Sequence, residues 1–598
     1  MNSNRSWWIW GAAVLLIVFV IAGVIGRLVD MIGQPGPTDG GSAIATPTTP
    51  ANAVGISIAS SNTKEAWLRQ AVDAFNAAAV TDPDLQVDGK PVFVTILQEE
   101  VDGKVADYRS GTMVSDTVAG RIEPTVLSPG EESWLQKFDR DWQSGKGADP
   151  ISEAQSPILV RTPLVVAMWE SRAKALGCWP TPGPECTWAR LGALANDPQG
   201  WGSVGKPEWK KFKFGYGYFG ESNSGTLATV AMCMAALGKT EGLTVADVAP
   251  DNACGGFLKE IEKAKVHSGK SDVFLLDQMQ AGGPEYLDGV VTYESNVIAR
   301  NRSAGDKLRE PLVSVYPQDG TVVVGHPYAI LDGAPWVNEE QVAGAKVFRD
   351  YLLSDGQQRA VLDLGLRPAD AATPLESPIE LANGANPEAT LLPLTVPDTL
   401  AIDRVGEVWQ EVRKHAVIAI VFDKSGSMAD NGKINAAVKG AQEFVRKMSP
   451  QDELHWIPFD EAVYPGVKGT KAAIGENLIG DIAATTADGG TALYDAILLA
   501  RQELEARRAE TGDAVRYGIV VLSDGQDQNS VQTLSQLESA LATTEKDPTG
   551  IQIHTIGIGE DTDVATLKKI AQAAHGRFWQ PKTDKDVIVV YKDIAAYF

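Results

Sequence analysis

The apolar positions fall into three successive patterns. The first is unbroken: Trp7 to Gly26 reads WWIWGAAVLLIVFVIAGVIG and carries no charge. About 20 apolar residues, each rising about 1.5 Å, span the hydrocarbon core of a bilayer, so this stretch predicts a transmembrane helix. In the second pattern, short apolar runs alternate with stretches of helical period. Ile56–Ala59 predicts a strand, Ser60, Ser61, Asn62 and Thr63 read as cap residues, and Glu65–Ala77 sets Trp67, Leu68, Val72 and Phe75 at helical spacing. Pro91–Leu97, Thr125–Leu127, Leu159–Ala167, Gly289–Thr292 and Thr321–Leu331 predict further strands, with helices at Glu339–Leu353 and Gly356–Leu364. The third pattern opens with a short amphipathic helix, Val405–Lys414. Ala416–Phe422 (AVIAIVF), Tyr517–Leu522 (YGIVVL) and Ile551–Ile558 (IQIHTIGI) are then apolar runs of strand length. Parallel strands buried on both faces read this way. Glu453–Pro458 adds a strand, and Lys433–Met448 and Ala492–Arg507 add helices. Strand–helix alternation throughout predicts an α/β fold, with a doubly wound sheet at the C-terminal end of the chain.

These shifts divide the chain into an N-terminal anchor (1–32), a flexible linker rich in Pro, Gly, Thr and Ser (33–53), a middle domain (54–370), a proline-rich linker (371–404) and a C-terminal domain (405–598). Trp7, Trp8 and Trp10 suit an interfacial aromatic belt. Arg5 and the terminal amine precede the apolar run, while Arg27 and Asp30 behind it roughly cancel. The positive-inside rule then sets the N-terminus in the cytoplasm. The expected location is the cell membrane, single-pass, with the bulk of the chain extracytoplasmic. A cleaved signal peptide is the other reading, but the run exceeds the usual apolar core of such peptides and lacks an A-x-A site.

Charge excludes one class of partner. With 53 basic and 77 acidic residues the formal charge is −24. Such a surface repels phosphate backbones, so no nucleic acid is expected. The four cysteines, Cys178, Cys186, Cys233 and Cys254, permit two disulfides in an exported region, with three connectivities. The favoured pairing is Cys178–Cys186, which closes the loop Trp179–Pro184, and then Cys233–Cys254. The other reading leaves four small buried hydrophobes.

The candidate chemistry lies in oxygen-bearing side chains. Asp423, Ser425 and Ser427 follow the apolar run ending at Phe422, Thr491 follows Gly489-Gly490, and Asp524 follows YGIVVL within Ser523-Asp524-Gly525. Ligands gather beyond the C-terminal ends of parallel strands, and both carboxylates stand there. Hard oxygens without thiolate or imidazole favour Mg²⁺, Mn²⁺ or Ca²⁺ over zinc or copper. Lys424, inside the first loop, reads as a solvated side chain. His554, within a strand, reads as structural. These five residues resemble the von Willebrand factor type A domain and its metal-ion-dependent adhesion site, a likeness that covers about residues 405–598. It implies Mg²⁺ held by Ser425, Ser427 and Thr491, with Asp423 and Asp524 bound directly or through water. It also implies a protein partner whose acidic side chain completes the coordination.

Residues 54–370 resemble the type II extracellular (periplasmic) solute-binding proteins, which implies a two-lobed domain. The likeness rests on Ile58-Ala59-Ser60-Ser61-Asn62, Ser222-Asn223-Ser224-Gly225-Thr226, Thr292-Tyr293-Glu294-Ser295, and the closing helix pair followed by Leu366-Arg367-Pro368. Hydroxyls and backbone amides at helix starts attract anions. Ser60, Ser61, Ser128, Ser224, Thr226 and Tyr293 are therefore the candidate contacts for a small solute or oxyanion, although Ser and Thr are also the ordinary N-caps. Tyr216, Tyr218 and Phe219 either line such a cleft or fill the core.

No G-x-S-x-G elbow, HExxH or P-loop occurs, and the six histidines are not paired at ligand spacing. The expectation is a membrane-anchored binding and adhesion protein and not an enzyme. The alternative is the substrate-binding receptor component of an ABC-type importer.

Overall fold

The computed structural model describes residues 49–598 except 102–103, 148, 154–155, 221, 270, 513–514, 525, 546–549, 560–561, 575, 582 and 596–598. The apolar run Trp7–Gly26 and most of the first linker lie outside the described residues. Among the described residues, no helix is long and apolar enough to cross a membrane.

The middle domain holds two sheets. In the first, strand Val54–Ser60 lies parallel between Lys90–Val101 and Val126–Ser128, and Ala329–Ile330 closes one edge. Trp67, Leu68 and Phe75 of helix Glu65–Ala79 pack on it with Phe348. In the second, the twelve-residue strand Ile158–Trp169 pairs antiparallel with Leu312–Val315, Val323–Pro327, Arg367–Pro368 and Gly289–Tyr293. Phe214–Gly217 and His267–Gly269 extend that sheet in parallel.

The strand expected over Thr321–Leu331 is in fact two. Val323–Pro327 belongs to the second sheet and Ala329–Ile330 to the first, so the chain changes lobe at Tyr328. The sequence pattern does not reveal that change, because apolar residues stand on both sides of Gly325-His326-Pro327.

Two disulfides staple the second lobe. Cys178 bonds Cys186 and Cys233 bonds Cys254. All four sit in the core of that lobe with Trp188, Leu227 and Leu258.

The stretch 371–404, expected as a linker, is folded against the middle domain. Ile379, Ala385 and Leu394 are buried, and Leu394 bonds back to Thr321 through the backbone. These apolar residues have no period: Ile379 and Ala385 share a small cluster with Ile298 and Leu362, while Leu394 joins the core of the second lobe. Helix Thr399–Val412 begins inside the stretch, capped by Asp398, and turns Ile402, Val405, Val408 and Trp409 into the second lobe.

The C-terminal sheet runs Lys468–Thr470, Glu453–Phe459, Ala416–Asp423, Arg516–Ser523, Gln552–Gly557, Phe578–Trp579. Every pairing is parallel except at the edge strand Lys468–Thr470. Strand Ala416–Asp423 is buried along its whole length. Helices cover both faces, with Phe444, Val445 and Tyr591 on one and Ile497, Ala500 and Leu504 on the other. Residues from Pro50 onward form one compact unit. Within it Arg516, at the start of a C-terminal strand, reaches Ser268 and Glu262 of the middle domain.

Candidate metal centre

Asp423 is the last residue of the central strand, and Asp524 follows the end of its parallel neighbour Arg516–Ser523. Parallel pairing brings both carboxylates to one edge of the sheet. Asp423 is fully buried and tied on both oxygens: Ser425 N–H donates to Oδ1 at 2.8 Å, and Ser523 Oγ–H donates to Oδ2 at 2.5 Å. Burial pushes its carboxyl up to about 6, against the lowering pull of the Ser425 and Ser523 hydrogen bonds, and the neighbouring Asp524 adds to the rise.

The Ser425 and Ser427 hydroxyls converge on the same point. Ser425 Oγ lies 3.2 Å from Ser427 Oγ, and Ser427 Oγ–H donates to Asp524 Oδ1 at 2.8 Å. Ser427 is exposed while Ser425, Asp423 and Asp524 are buried, so the cluster opens on one side only. The loop bearing Thr491 is stitched to the first by Gly426 N–H donating to Gly489 O and Asp488 N–H donating to Lys424 O. Gly489 has φ +78, a conformation glycine adopts without steric cost.

Several residues that hold this arrangement are silent in the sequence pattern. Asn529 Oδ1 accepts from Thr491 N–H at 3.0 Å, and Thr491 O accepts from the N–H groups of Gln528 and Asn529. Asp495 accepts from Val531 and Gln532 N–H, and Asp527 accepts from Tyr494 N–H, which clasps the two loops together. Lys433, the first residue of helix Lys433–Lys447, donates to Asp524 Oδ2 at 2.7 Å. Lys424 is not the solvated side chain its loop position suggests. It pairs with Asp460 and lies 4.6 Å over the Tyr464 ring. His554 is buried within its strand.

The donor set fits a hard divalent cation. Two carboxylates and three hydroxyls stand in adjoining loops, and all offer oxygen. Among the described residues no three His, Cys, Asp or Glu side chains converge on one point. A cation here would therefore depend on hydroxyls as well as carboxylates, and its charge would be incompletely neutralised.

The candidate solute contacts form a second, looser group. Ser60, Ser61 and Ser128 meet at the ends of adjacent strands, where fully buried Lys64 donates to Ser61 Oγ at 3.0 Å and to Ser128 O at 2.8 Å. Burial pulls the Lys64 ammonium down to about 7. Ser128 Oγ–H is spent on Pro327 O. Ser222, not Ser224, caps the helix Asn223–Leu237, and Thr226 Oγ1 accepts from Gly220 N–H. Asn223 Nδ2 donates to Tyr293 Oη at 2.8 Å, while its Oδ1 accepts from Trp134 of the other lobe at 3.0 Å. Ser61, Ser110 and Asn223 all crowd the space beside Gly130, so residues of both lobes meet there. Tyr216 and Tyr218 fill the core, and Phe219 stacks on Trp409.

Two family models match the sequence: bacterial extracellular solute-binding protein over residues 56–367, more than half of the chain, and von Willebrand factor type A domain over residues 418–589. An uncharacterized protein of Synechocystis sp. is 26% identical over 159 residues, which is 27% of this chain and 36% of that protein. The chain thus spans about a third of the length of the curated relative it matches. Among solved structures, a von Willebrand factor type A protein from Catenulispora acidiphila is 22% identical, with 31% of this chain and 42% of that chain covered and a TM-score of 0.26. Proximal thread matrix protein 1 from the mussel byssus, with a zinc occupied MIDAS motif, is 20% identical over 34% of this chain and 53% of its own, with a TM-score of 0.26. An ABC transporter from Clostridium perfringens is 13% identical over 60% of this chain and 99% of its own, with a TM-score of 0.39.

Proposed function

From a chain that belongs to the bacterial extracellular solute-binding proteins and carries a von Willebrand factor type A domain, we propose a membrane-anchored, extracytoplasmic binding and adhesion protein. The apolar segment Trp7–Gly26 is its anchor. Asp423, Ser425, Ser427, Thr491 and Asp524 hold a divalent cation, Mg²⁺ first among the candidates. The cation engages an acidic side chain of a protein partner. The middle domain receives a small solute or oxyanion between its lobes, where Ser61, Gly130 and Asn223 face one another.

The observation that carries the reading is the meeting of Asp423, Ser425, Ser427 and Asp524 at one sheet edge, with Thr491 on a loop bonded to theirs. Three neutral hydroxyls and two carboxylates leave a bound divalent ion short of negative charge and receptive to a carboxylate from outside. The chain is read as a binder and not a catalyst. Two disulfides agree with an oxidising compartment.

The test is affinity capture by the full-length protein in Mg²⁺ and in EDTA, beside the Thr491→Ala variant. A partner retained by the parent in Mg²⁺ and lost both in EDTA and in the variant supports the proposal. Identical retention in all three defeats it.

A further inference from the structure

Lys433 stands against the metal centre without belonging to its oxygen set. The chain turns through two left-handed residues, Asn431 at φ 52 and Gly432 at φ 73, and delivers Lys433 to the start of its helix. Its stem runs beside Gly559, where an added Cβ would come 2.7 Å from Lys433 Cε and 3.1 Å from Nζ. The ammonium ends 2.7 Å from Asp524 Oδ2, with side-chain exposures of 9% and 1% for the pair. The other oxygen of that carboxylate, Oδ1, accepts from Ser427. Asp524 therefore shows one oxygen to the cluster and the other to a fixed positive charge.

We infer that Lys433 is a resident counter-cation, which weakens the site's hold on a divalent ion and leaves the bound ion in need of an anionic partner. The inference rests on the reading of this cluster as a divalent-cation site. Asp423 and Asp524 supply two negative charges and Lys433 removes one. A divalent ion thus gives the cluster a net positive charge, where without Lys433 it would be neutral. Like charges on opposite oxygens of one carboxylate repel across a poorly screened distance. That repulsion falls on the metal alone when no partner is present. It is relieved when a carboxylate arrives.

A merely structural lysine, present only to neutralise buried Asp524, makes a different prediction. Its removal would disorder the loop and weaken metal binding.

The experiment is calorimetric titration of the full-length protein with Mn²⁺, comparing parent, Lys433→Gln, Lys433→Met and Lys433→Arg, with Asp423→Ala as the blank. Lys433→Gln is expected to bind Mn²⁺ roughly tenfold more tightly than the parent, and Lys433→Arg to stay near it. The melting temperature of Lys433→Gln should also rise more on adding Mn²⁺ than that of the parent. Lys433→Met keeps the apolar stem beside Gly559 and serves as the neutral variant if Gln fails to fold. Parent binding with equal or weaker affinity in both neutral variants overturns this inference and leaves the metal reading intact. No Mn²⁺ binding by the parent overturns the metal reading, and this inference with it.

Discussion

Thr491 N–H donates to Asn529 Oδ1 at 3.0 Å, and the carbonyl of Thr491 accepts from Asn529 N–H at 2.9 Å. This reciprocal pair fixes the backbone of the loop that carries Thr491, although Asn529 is not among the proposed ligands. Gly490 lets the two loops approach this closely, since a Cβ there would sit 2.1 Å from Asn529 Oδ1.

Asn529→Ala should therefore weaken divalent binding without removing a ligand. A hydrogen bond of this kind contributes about 1 kcal/mol net, so the affinity for Mn²⁺ should fall roughly fivefold. Titration of parent and variant with Mn²⁺ checks it. Unchanged affinity would mean that the loop keeps its place by other contacts, the Asp495 clasp first among them.

Removing ligands directly should do more. Asp423→Ala and Thr491→Ala should abolish divalent-dependent capture of the partner, with far-ultraviolet circular dichroism close to that of the parent. Calorimetry on the double variant is the decisive measurement. Mg²⁺ binding at parental affinity would show that the ion sits elsewhere.

The positions of these candidate ligands were readable because each carboxylate stands at or just beyond the end of a run of buried apolar residues. AVIAIVF and YGIVVL announce parallel strands; Asp423 comes directly after the first, and Asp524 follows the second with Ser523 between. Lys433 and Asn529 carry no such signal. Lys433 looks like any polar residue at a helix start, and its target is 91 residues away. Asn529 lies in a loop whose fold is decided by Asp495 and Asp527 contacts across the cleft between loops. Lys424 looked solvated because its partner Asp460 follows a different strand. The packed course of residues 371–398 was hidden for a related reason. Isolated apolar residues such as Ile379 and Leu394 have no periodicity for a sequence pattern to detect.

Reduction should act on the second lobe of the middle domain. Each disulfide constrains the unfolded chain, so breaking both should cost that domain roughly 2–4 kcal/mol or more. The C-terminal sheet contains no cysteine and should melt unchanged. Thermal unfolding with and without reductant, followed by thiol counting, decides the matter. Four reactive thiols before reduction would remove the bonds altogether.

Lys64 gives the middle domain a pH dependence of definite sign. Burial lowers its ammonium from the ordinary 10.5 to about 7. Between those values the unfolded chain takes up the proton and the folded domain does not. Falling pH therefore favours unfolding across this window, by roughly 1.4 kcal/mol per pH unit, and below about 7 the loss levels off. Lys64→Met lacks this group. The stability of the parent relative to the variant should rise from pH 7 to pH 10, whatever their offset at pH 7. Urea unfolding at three pH values measures it, and a constant difference would mean that Lys64 stays charged in the folded domain.

The junction between the domains turns on Glu262, which is fully buried. It accepts from Trp409 of the connecting helix at 2.7 Å and from Lys265 at 2.5 Å, and Arg516 of the C-terminal domain lies 3.5 Å away. Burial alone would raise its carboxyl, but the Lys265 ammonium and the Arg516 guanidinium outweigh it and hold the group ionised, at about 2. Removing the carboxylate leaves Lys265 buried without its counter-charge. Glu262→Ala should therefore cost about 3–5 kcal/mol, whereas replacing the pair together in Glu262→Leu/Lys265→Met should recover much of that loss. The double variant strands neither Glu262 nor Lys265, yet it still lacks the acceptor for Trp409 and for the buried Tyr216 hydroxyl and the partner for Arg516. If it is as unstable as Glu262→Ala, the loss lies in the contacts of Glu262 to Trp409, Tyr216 and Arg516. If it is nearly as stable as the parent, the cost came from stranding Lys265, and the two domains hold together through the apolar face of helix Thr399–Val412.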